Sequence, residues 1–380
     1  MAAYRFEEIA IVGKDKKKPT DADKTTYIGL EHLSSDTFEV EEYGSEVAPK
    51  GEKLVMRKGD VLFGKRRAYQ KKVGIAPCDG IFSAHGMVLR PNEDVVNARF
   101  FPFFIRSDVF LDEAIRISVG SLSPTVNWRD LKELVFELPS LDKQRELAEL
   151  LWAAEETKWK YRELIKTSDD IVKSRFVEMF GDYNAAPSGF LRDVSEFVTV
   201  GIANAATHAY TEAGVVMLRN LNVRENCLDD SDLVYIKPEF AAKYCKKALK
   251  TNDILVTRTG YPGIACLVPE KYEGCQTFTT LIVRLRKDAP VTPTYVCQFI
   301  NSPLGKEFVE KMKAGSSQQN FGATSLKQMP IGTPPLAQQQ EFATFVAQVN
   351  KSKVALQQSL DDLNATMIAI LNEELGTRDV

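Results

Sequence analysis

The stretches PSLDKQRE (Pro139 to Glu146) and PPLAQQQE (Pro334 to Glu341) lie 195 residues apart, and each opens a long run with its apolar residues at helical steps. After the first come Leu147, Leu151, Ala154, Tyr161, Ile165, Val172 and Phe176. After the second come Phe342, Val346, Val349, Leu356, Leu360, Met367 and Leu371, each displaced by 195. Steps of three, four and seven put such residues on one stripe of an α-helix. Even the polar exceptions agree, because Lys158 and Lys353 hold the same nominal seam position. The prolines mark sharp starts, and Gly181 and Gly376 fit helix stops. At 1.5 Å per residue the run from Leu141 to Phe180 would extend roughly 60 Å. Two matching amphipathic helices in one chain predict an antiparallel or crossed coiled-coil pair.

Working outward from the helices, the whole chain repeats. At the same displacement of 195, Gly120-Ser121 falls on Gly315-Ser316, Leu131-Lys132 on Leu326-Lys327, and FFIRS ending at Ser107 on QFINS ending at Ser302. Nearer the start of each half the shift is 193, with GDVLFGKR (Gly59 to Arg66) over NDILVTRT (Asn252 to Thr259). It is 188 for YIGLEHL (Tyr27 to Leu33) over VVMLRNL (Val215 to Leu221). A shift that only grows is what a duplication with small loop insertions leaves behind. Short β-branched and aromatic runs at Asp60 to Phe63, Met87 to Leu89, Asp253 to Thr257 and Thr279 to Leu285 read as strands, punctuated by turn residues. Arg99 to Ile115 and Pro293 to Lys313 read as helices. The expected fold is therefore α+β: two repeated globules separated by two long helices packed as an antiparallel coiled coil, with pseudo-two-fold symmetry. The expected boundaries are 1–140 for the first globule, 141–182 for a central helix, 183–335 for the second globule and 336–380 for a terminal helix.

Composition bounds the function. A chain of 380 residues, 44% hydrophobic and 27% charged, is too long for one ordinary domain and comfortable for two folded ones. No apolar run reaches a membrane span, and the opening MAAYRFEEIA lacks a secretory pattern, so a cytoplasmic protein without a membrane role is expected. The six cysteines are scattered with no C-x-x-C pair, which predicts reduced thiols. There is no Walker A sequence and no strand-borne G-x-G-x-x-G. The tetrapeptide TPPL (Thr333 to Leu336) lacks the acid or amide and the aromatic of an amino-methyltransferase motif and reads as the turn into a helix. His32, His85 and His208 are far apart and predict no metal site. Asp253 and Glu270 lack the companions of a nuclease pair. The chain reads as a non-catalyst that carries no cofactor of its own.

The net charge of −3 gives no hint of nucleic acid, but its distribution does. From Lys50 to Lys72 nine Lys or Arg face only Glu52 and Asp60, and from Lys237 to Arg258 six face only Glu239 and Asp253. In FGKRRAYQKK a strand runs out into a turn bearing Lys65, Arg66, Arg67, Tyr69, Lys71 and Lys72. Arginine can bond guanine bidentately, lysine neutralises phosphate and tyrosine can stack or hydrogen-bond. The same strand exit in the second copy carries Thr257, Arg258, Thr259 and Tyr261 amid different neighbours. A shared framework with divergent loop chemistry suits two readers of two base sequences. The turns around Ser121, Ser123, Thr125 and Asn127, and around Ser316, Ser317, Gln318, Gln319 and Asn320, are rich in side chains that read base edges or hold phosphates. A cap on the element that follows is an equal reading of these turns. Lys243, Lys246, Lys247 and Lys250 are candidate phosphate contacts.

The doubled arrangement of GDVLFGKRRAYQKK, the Gly-Ser turn, Leu-Lys, PPLAQQQE and a long amphipathic helix resembles the DNA-specificity subunit of type I restriction-modification systems over essentially all 380 residues. The first copy departs from the Pro-Pro-Leu-x-x-Gln-Gln entry, reading Pro139-Ser140-Leu141-Asp142-Lys143-Gln144-Arg145, while keeping the spacing. The resemblance implies that each globule is a target recognition domain for one half of a bipartite double-stranded DNA site. The helices would hold the domains apart. Two methyltransferase (modification) subunits would dock on them, with restriction (motor-nuclease) subunits joining for cleavage. S-adenosylmethionine, ATP and Mg would belong to those partners. The stripe residues Leu147, Leu151, Tyr161, Ile165, Phe342, Val346, Leu356 and Leu360 are the expected partner-binding positions. The rival reading is a coiled-coil scaffold whose two globules bind proteins rather than DNA.

Overall fold

The computed structural model describes residues 1–203, 207–313 and 320–376 and divides into two units. One comprises Met1–Leu164 with Leu356–Val380, the other Ile165–Ala355. No helix among the described residues is long and apolar enough to cross a membrane.

In the first unit, β1 (Ala2–Arg5) leads through the helical turn α1 (Phe6–Ile9) to β2 (Ala10–Val12), β3 (Lys16–Lys17), β4 (Tyr27–Ile28), β5 (Lys53–Met56), β6 (Val61–Phe63), β7 (Val73–Ile75), β8 (Gly80–Phe82) and β9 (Met87–Pro91). Then follow α2 (Phe101–Arg106), α3 (Asp108–Arg116), α4 (Trp128–Leu131), β10 (Val135–Leu138) and the long α5 (Leu141–Ala185), whose residues from Ile165 on belong to the second unit. An antiparallel sheet in the order β2-β9-β6-β7 is wholly apolar at its centre, where Val61, Leu62 and Phe63 are all buried, so strand rather than alternation reads from the run. One face meets the Phe101, Phe104 and Phe110 cluster of α2 and α3. The other meets a second sheet, β3-β5-β8-β4, through Ile28, Met56 and Phe82.

The second unit repeats this plan with β11 (Gly189–Phe190), α6 (Leu191–Val194), β12 (Ser195–Val200), β13 (Tyr210–Thr211), β14 (Val215–Arg219), a hairpin of β15 (Val223–Arg224) and β16 (Cys227–Leu228), β17 (Val234–Ile236), α7 (Pro238–Ala242), β18 (Ile254–Val256), β19 (Ala265–Leu267), β20 (Gln276–Phe278) and β21 (Leu281–Leu285). After them come α8 (Pro293–Asn301), α9 (Pro303–Met312), α10 (Ala323–Lys327), β22 (Pro330–Ile331) and α11 (Leu336–Leu375). The first sheet keeps its topology as β12-β21-β18-β19. Its register is kept too: Val61 faces Leu89 as Ile254 faces Val283. The second sheet diverges. Both copies hold one parallel pair, β4 with β8 and β14 with β20, but the antiparallel strand that completes the sheet joins β8 in one and β14 in the other.

Each expected single helix before the polar turns is two helices. Ser107 and Ser302 adopt extended backbone, accept from the amides of Phe110 and Gly305, and donate to the carbonyls of Phe104 and Phe299, so each hydroxyl ends one helix and caps the next. Helix α5 also runs past Gly181 to Ala185, because Asn184 in its last turn accepts a 2.6 Å hydrogen bond from the buried Tyr295 hydroxyl; Pro187 then bars continuation. Gly376 does stop α11, with φ of 73°.

The motif that opens each long helix now has a cause. Gln144 and Gln339 are buried, and their amide groups donate to the carbonyls of Pro139 and Val95 in one copy and of Pro334 and Pro290 in the other. Their oxygens accept from the amides of Asn97 and Thr292, at 2.8 and 2.7 Å. One glutamine thus locks the helix start to the loop ahead of α2 in the first copy and of α8 in the second.

The helices pair antiparallel within each unit. In the first, Lys143 meets Glu374 at 2.8 Å, and Leu147 and Leu151 share a core with Met367, Leu371 and Leu375. In the second, Arg175 meets Glu341 and Asp169 meets Lys353, while Phe176 and Phe180 pack on Phe342. This corrects the expected partner-binding stripe. Leu147, Leu151, Phe342, Val346 and Leu360 are buried within the chain and Tyr161, Ile165 and Leu356 are half-buried, since the apolar seam closes on itself.

Candidate nucleic-acid interface

In the first unit the exit of β6 turns sharply at Arg67 and Lys71, both left-handed with φ of 57° and 51°. A non-glycine residue there costs roughly 1–2 kcal/mol, so the surroundings must impose it. They do. The Arg67 amide donates to the Pro124 carbonyl at 2.7 Å, the Val126 amide to the Lys65 carbonyl, and Arg66 bridges Thr125, fastening the basic loop to the Gly120–Asn127 turn. Ser123 Oγ accepts from both guanidiniums, Arg66 and Arg67, at 3.3 Å. Arg67, Tyr69, Ser121 and Asn127 are exposed, and Leu122 is 90% exposed at the turn's tip. Lys71 pairs with Asp108 at 2.6 Å and Lys72 donates to the Leu30 carbonyl, so these two brace the loop.

The second unit repeats the fastening with other side chains. The Phe321 amide donates to the Arg258 carbonyl, and Thr259 bridges Asn320. Arg258 Nε donates to Asn320 Oδ1 at 3.0 Å, as Arg66 and Arg67 lean on Ser123. Tyr261 is 84% exposed beyond Gly260. Thr257 differs from the expectation of a displayed side chain: it is buried, its hydroxyl donating to the Tyr261 carbonyl and accepting from the Ile264 amide, so it builds the turn. Lys243, Lys246 and Lys250 are exposed, whereas Lys247 donates to the Gly201 carbonyl. Ser316, Ser317, Gln318 and Gln319 lie outside the described residues.

Behind each loop stands one ion pair. Asp60 receives Arg90 at 2.7 and 2.8 Å, and Asp253 receives Arg284 at 2.8 and 2.6 Å; each carboxylate also accepts a backbone amide, from Arg57 or Lys250. These bonds raise both guanidinium pKa values. The aspartates of GDVLF and NDILV are thereby framework.

The sequence reading missed His85, Lys16 and Asn220 as neighbours of these loops. His85, in the turn between β8 and β9, accepts the Arg66 amide on its carbonyl, and its Nε2 lies 3.3 Å from Arg66 Nη1. Lys16 on β3 and Lys53 on β5 add to the same field. Burial, then Lys16, lowers the Lys65 pKa; burial, then Arg66, Lys65 and Lys53, lowers that of His85. In the second unit Asn220 donates to Thr259 Oγ1 at 2.7 Å and accepts the Arg258 amide. Only the shift of the repeat near Leu221 could have pointed to Asn220, and no sequence signal pointed to His85.

Comparison with known proteins meets the repeat. A family model described as type I restriction modification DNA specificity domain matches residues 4–163 and again 190–363. The EcoDI type I restriction enzyme specificity subunit of Escherichia coli is 27% identical over 145 residues, 38% of this chain and 32% of that protein. The StySPI specificity subunit of Salmonella potsdam is 23% identical over 147 residues, 37% of this chain and 32% of that protein. The matched region thus spans about a third of the curated relatives' length. Among solved structures, the type I restriction-modification S subunit from M. genitalium covers 100% of this chain and 96% of its own at TM-score 0.51 and 13% identity. A chain from a study of complex assembly and conformational transition in the type I R-M system covers 98% and 97% at TM-score 0.51 and 17% identity. These two likenesses are of fold. With its two globules and both matched stretches, the chain belongs to the family of type I restriction modification DNA specificity domains.

Proposed function

We propose that this chain is the non-catalytic DNA sequence-specificity subunit of a type I restriction-modification complex in the cytoplasm, each globule reading one half of a split double-stranded target. One observation carries the reading: the same backbone bonds fasten a basic strand exit to a polar turn in both units, while the side chains displayed there differ. A conserved frame with exchangeable side chains suits base readout, in which arginine pairs with guanine edges and serine or asparagine with others. Exposed Lys243, Lys246 and Lys250 suit phosphate contact.

The proposed partners are two methyltransferase subunits, which would bring S-adenosylmethionine, and restriction subunits, which would bring ATP and Mg. With the seam residues buried, docking falls to apolar side chains that the long helices leave exposed, such as Leu150, Trp159 and Leu164 on α5 and Val354 and Ile368 on α11. Trp159 and Val354 are repeat equivalents, which suits two copies of one partner. Mapping methylated adenines in the source genome tests the reading, with a split motif as the expected pattern. Footprinting with the methyltransferase partner separates it from the protein-binding scaffold, which protects no defined bipartite site.

A further inference from the structure

We propose that His85 is a further DNA-contacting residue of the first globule, and that it takes up a proton as the duplex docks, so that recognition of that half-site strengthens as pH falls. This inference rests on the proposed function. It begins from geometry. His85 is exposed at the β8–β9 turn, and the groups that face it are Arg66 and Lys65 from the β6 exit and Lys53 from β5, with Lys16 of β3 behind Lys65. Each of those facing groups is a cation. The ring nitrogen 3.3 Å from Arg66 Nη1 is an acceptor, which places the proton of the neutral imidazole on Nδ1.

In the free protein this arrangement favours the neutral ring, and burial with the three neighbouring cations pushes its pKa down. A docked duplex reverses the local field, because phosphates at the same surface neutralise the cations and favour imidazolium. Two consequences follow from one proton. The ring gains a charge to set against phosphate. Its Nε2 also loses its acceptor lone pair, so the Arg66 guanidinium is released from the ring toward the groove. The second globule has no counterpart of His85 at this place: the turn between its corresponding strands β20 and β21 is Thr279–Thr280, which carries no titratable group. Proton linkage therefore belongs to one reading head.

The test uses the full chain, fluorescence anisotropy at constant ionic strength from pH 8 to pH 6, and a duplex carrying the split motif found by adenine mapping. A scrambled duplex serves as control. His85→Gln keeps a neutral polar side chain at an exposed position, and circular dichroism checks its fold. One linked proton yields at most about tenfold in affinity per pH unit. The expected result is a wild-type affinity at pH 6 several-fold to tenfold above that at pH 8, against a nearly flat profile for His85→Gln. Calorimetry in buffers of different ionisation enthalpy should find up to one proton taken up by the wild type and correspondingly less by the variant. Equal pH profiles for the two proteins, with specific binding intact, overturn the role of His85 alone. Failure of wild type and variant to prefer the split motif over the scrambled duplex at any pH overturns the DNA reading itself.

Discussion

At the scale of single residues, position in the loop separates the proposed readers from framework. Arg66 leans on Ser123 and His85 and Arg67 on Ser123, contacts that hold both guanidiniums at the loop surface, so Arg66→Ala or Arg67→Ala should relax base choice in the first half-site only, by about 1–3 kcal/mol per lost bidentate contact. Binding to variant duplexes checks this, and unchanged choice in both halves would sink it. Lys246→Ala should instead weaken every sequence alike and reduce the salt slope by about one unit. Asp253 is of the other kind: buried and bidentate with Arg284, its replacement by Ala should cost about 3–5 kcal/mol in urea unfolding by stranding a buried guanidinium. Asp23 gives a pH test. The Lys17 ammonium, then the Thr20 amide and hydroxyl, hold its carboxyl at about 2 against a usual 3.8. A depressed folded-state value stabilises above the unfolded one, so this contribution is complete above about pH 4 and disappears as pH falls through about 2. The stability gap between wild type and Asp23→Ala should close over that window. Basic residues adjacent in sequence were legible as a patch. His85 and Lys16 were not, because they reach it from a turn and a strand outside the basic run, and pairing of strands across a sheet leaves no local charge pattern.

At the scale of elements, the long helices were legible because a stripe repeated at a displacement of 195 excludes chance. The break in the helix before each polar turn was not. Apolar spacing continues through Ser107 and Ser302, and a serine hydroxyl reads the same in sequence whether it faces solvent or caps a helix. Periodicity also marks apolar positions and is silent on Gln144 and Gln339, though these fix where the helices begin. Replacing either with Ala leaves one half-buried backbone amide and two carbonyls without their partners, each worth up to about 1–3 kcal/mol. We expect Gln339→Ala to lower stability by several kcal/mol and to speed exchange of the Thr292 amide by orders of magnitude, leaving that of Asn97 unchanged. Equal protection of the Thr292 amide in variant and wild type would show that the glutamine does not hold the helix start.

At the scale of the whole molecule, chain order and folding unit do not coincide. A division at residue 140 or 182, natural from the repeat, places the terminal helix after the second globule. Yet Leu356–Val380 belongs to the unit of Met1–Leu164, and Met367, Leu371 and Leu375 complete its core beside Leu147 and Leu151. Sequence showed that two stripes must find partners, but a stripe does not say which end of the other helix it meets. The consequence is testable by truncation. Ending the chain after Ala355 removes those three side chains, each contributing about 1.5–3 kcal/mol by burial, together with the Lys143–Glu374 pair. The second unit keeps its own helix pairing, since Phe342 and Val346 remain on Phe176 and Phe180. The unit distant in sequence from the deletion should therefore be the one that loosens: amides of Phe101–Arg116 should lose protection in hydrogen exchange, while those of Pro293–Met312 keep theirs. The opposite order, with the second globule opening first, would mean that the helix ends do not pair as the cores require.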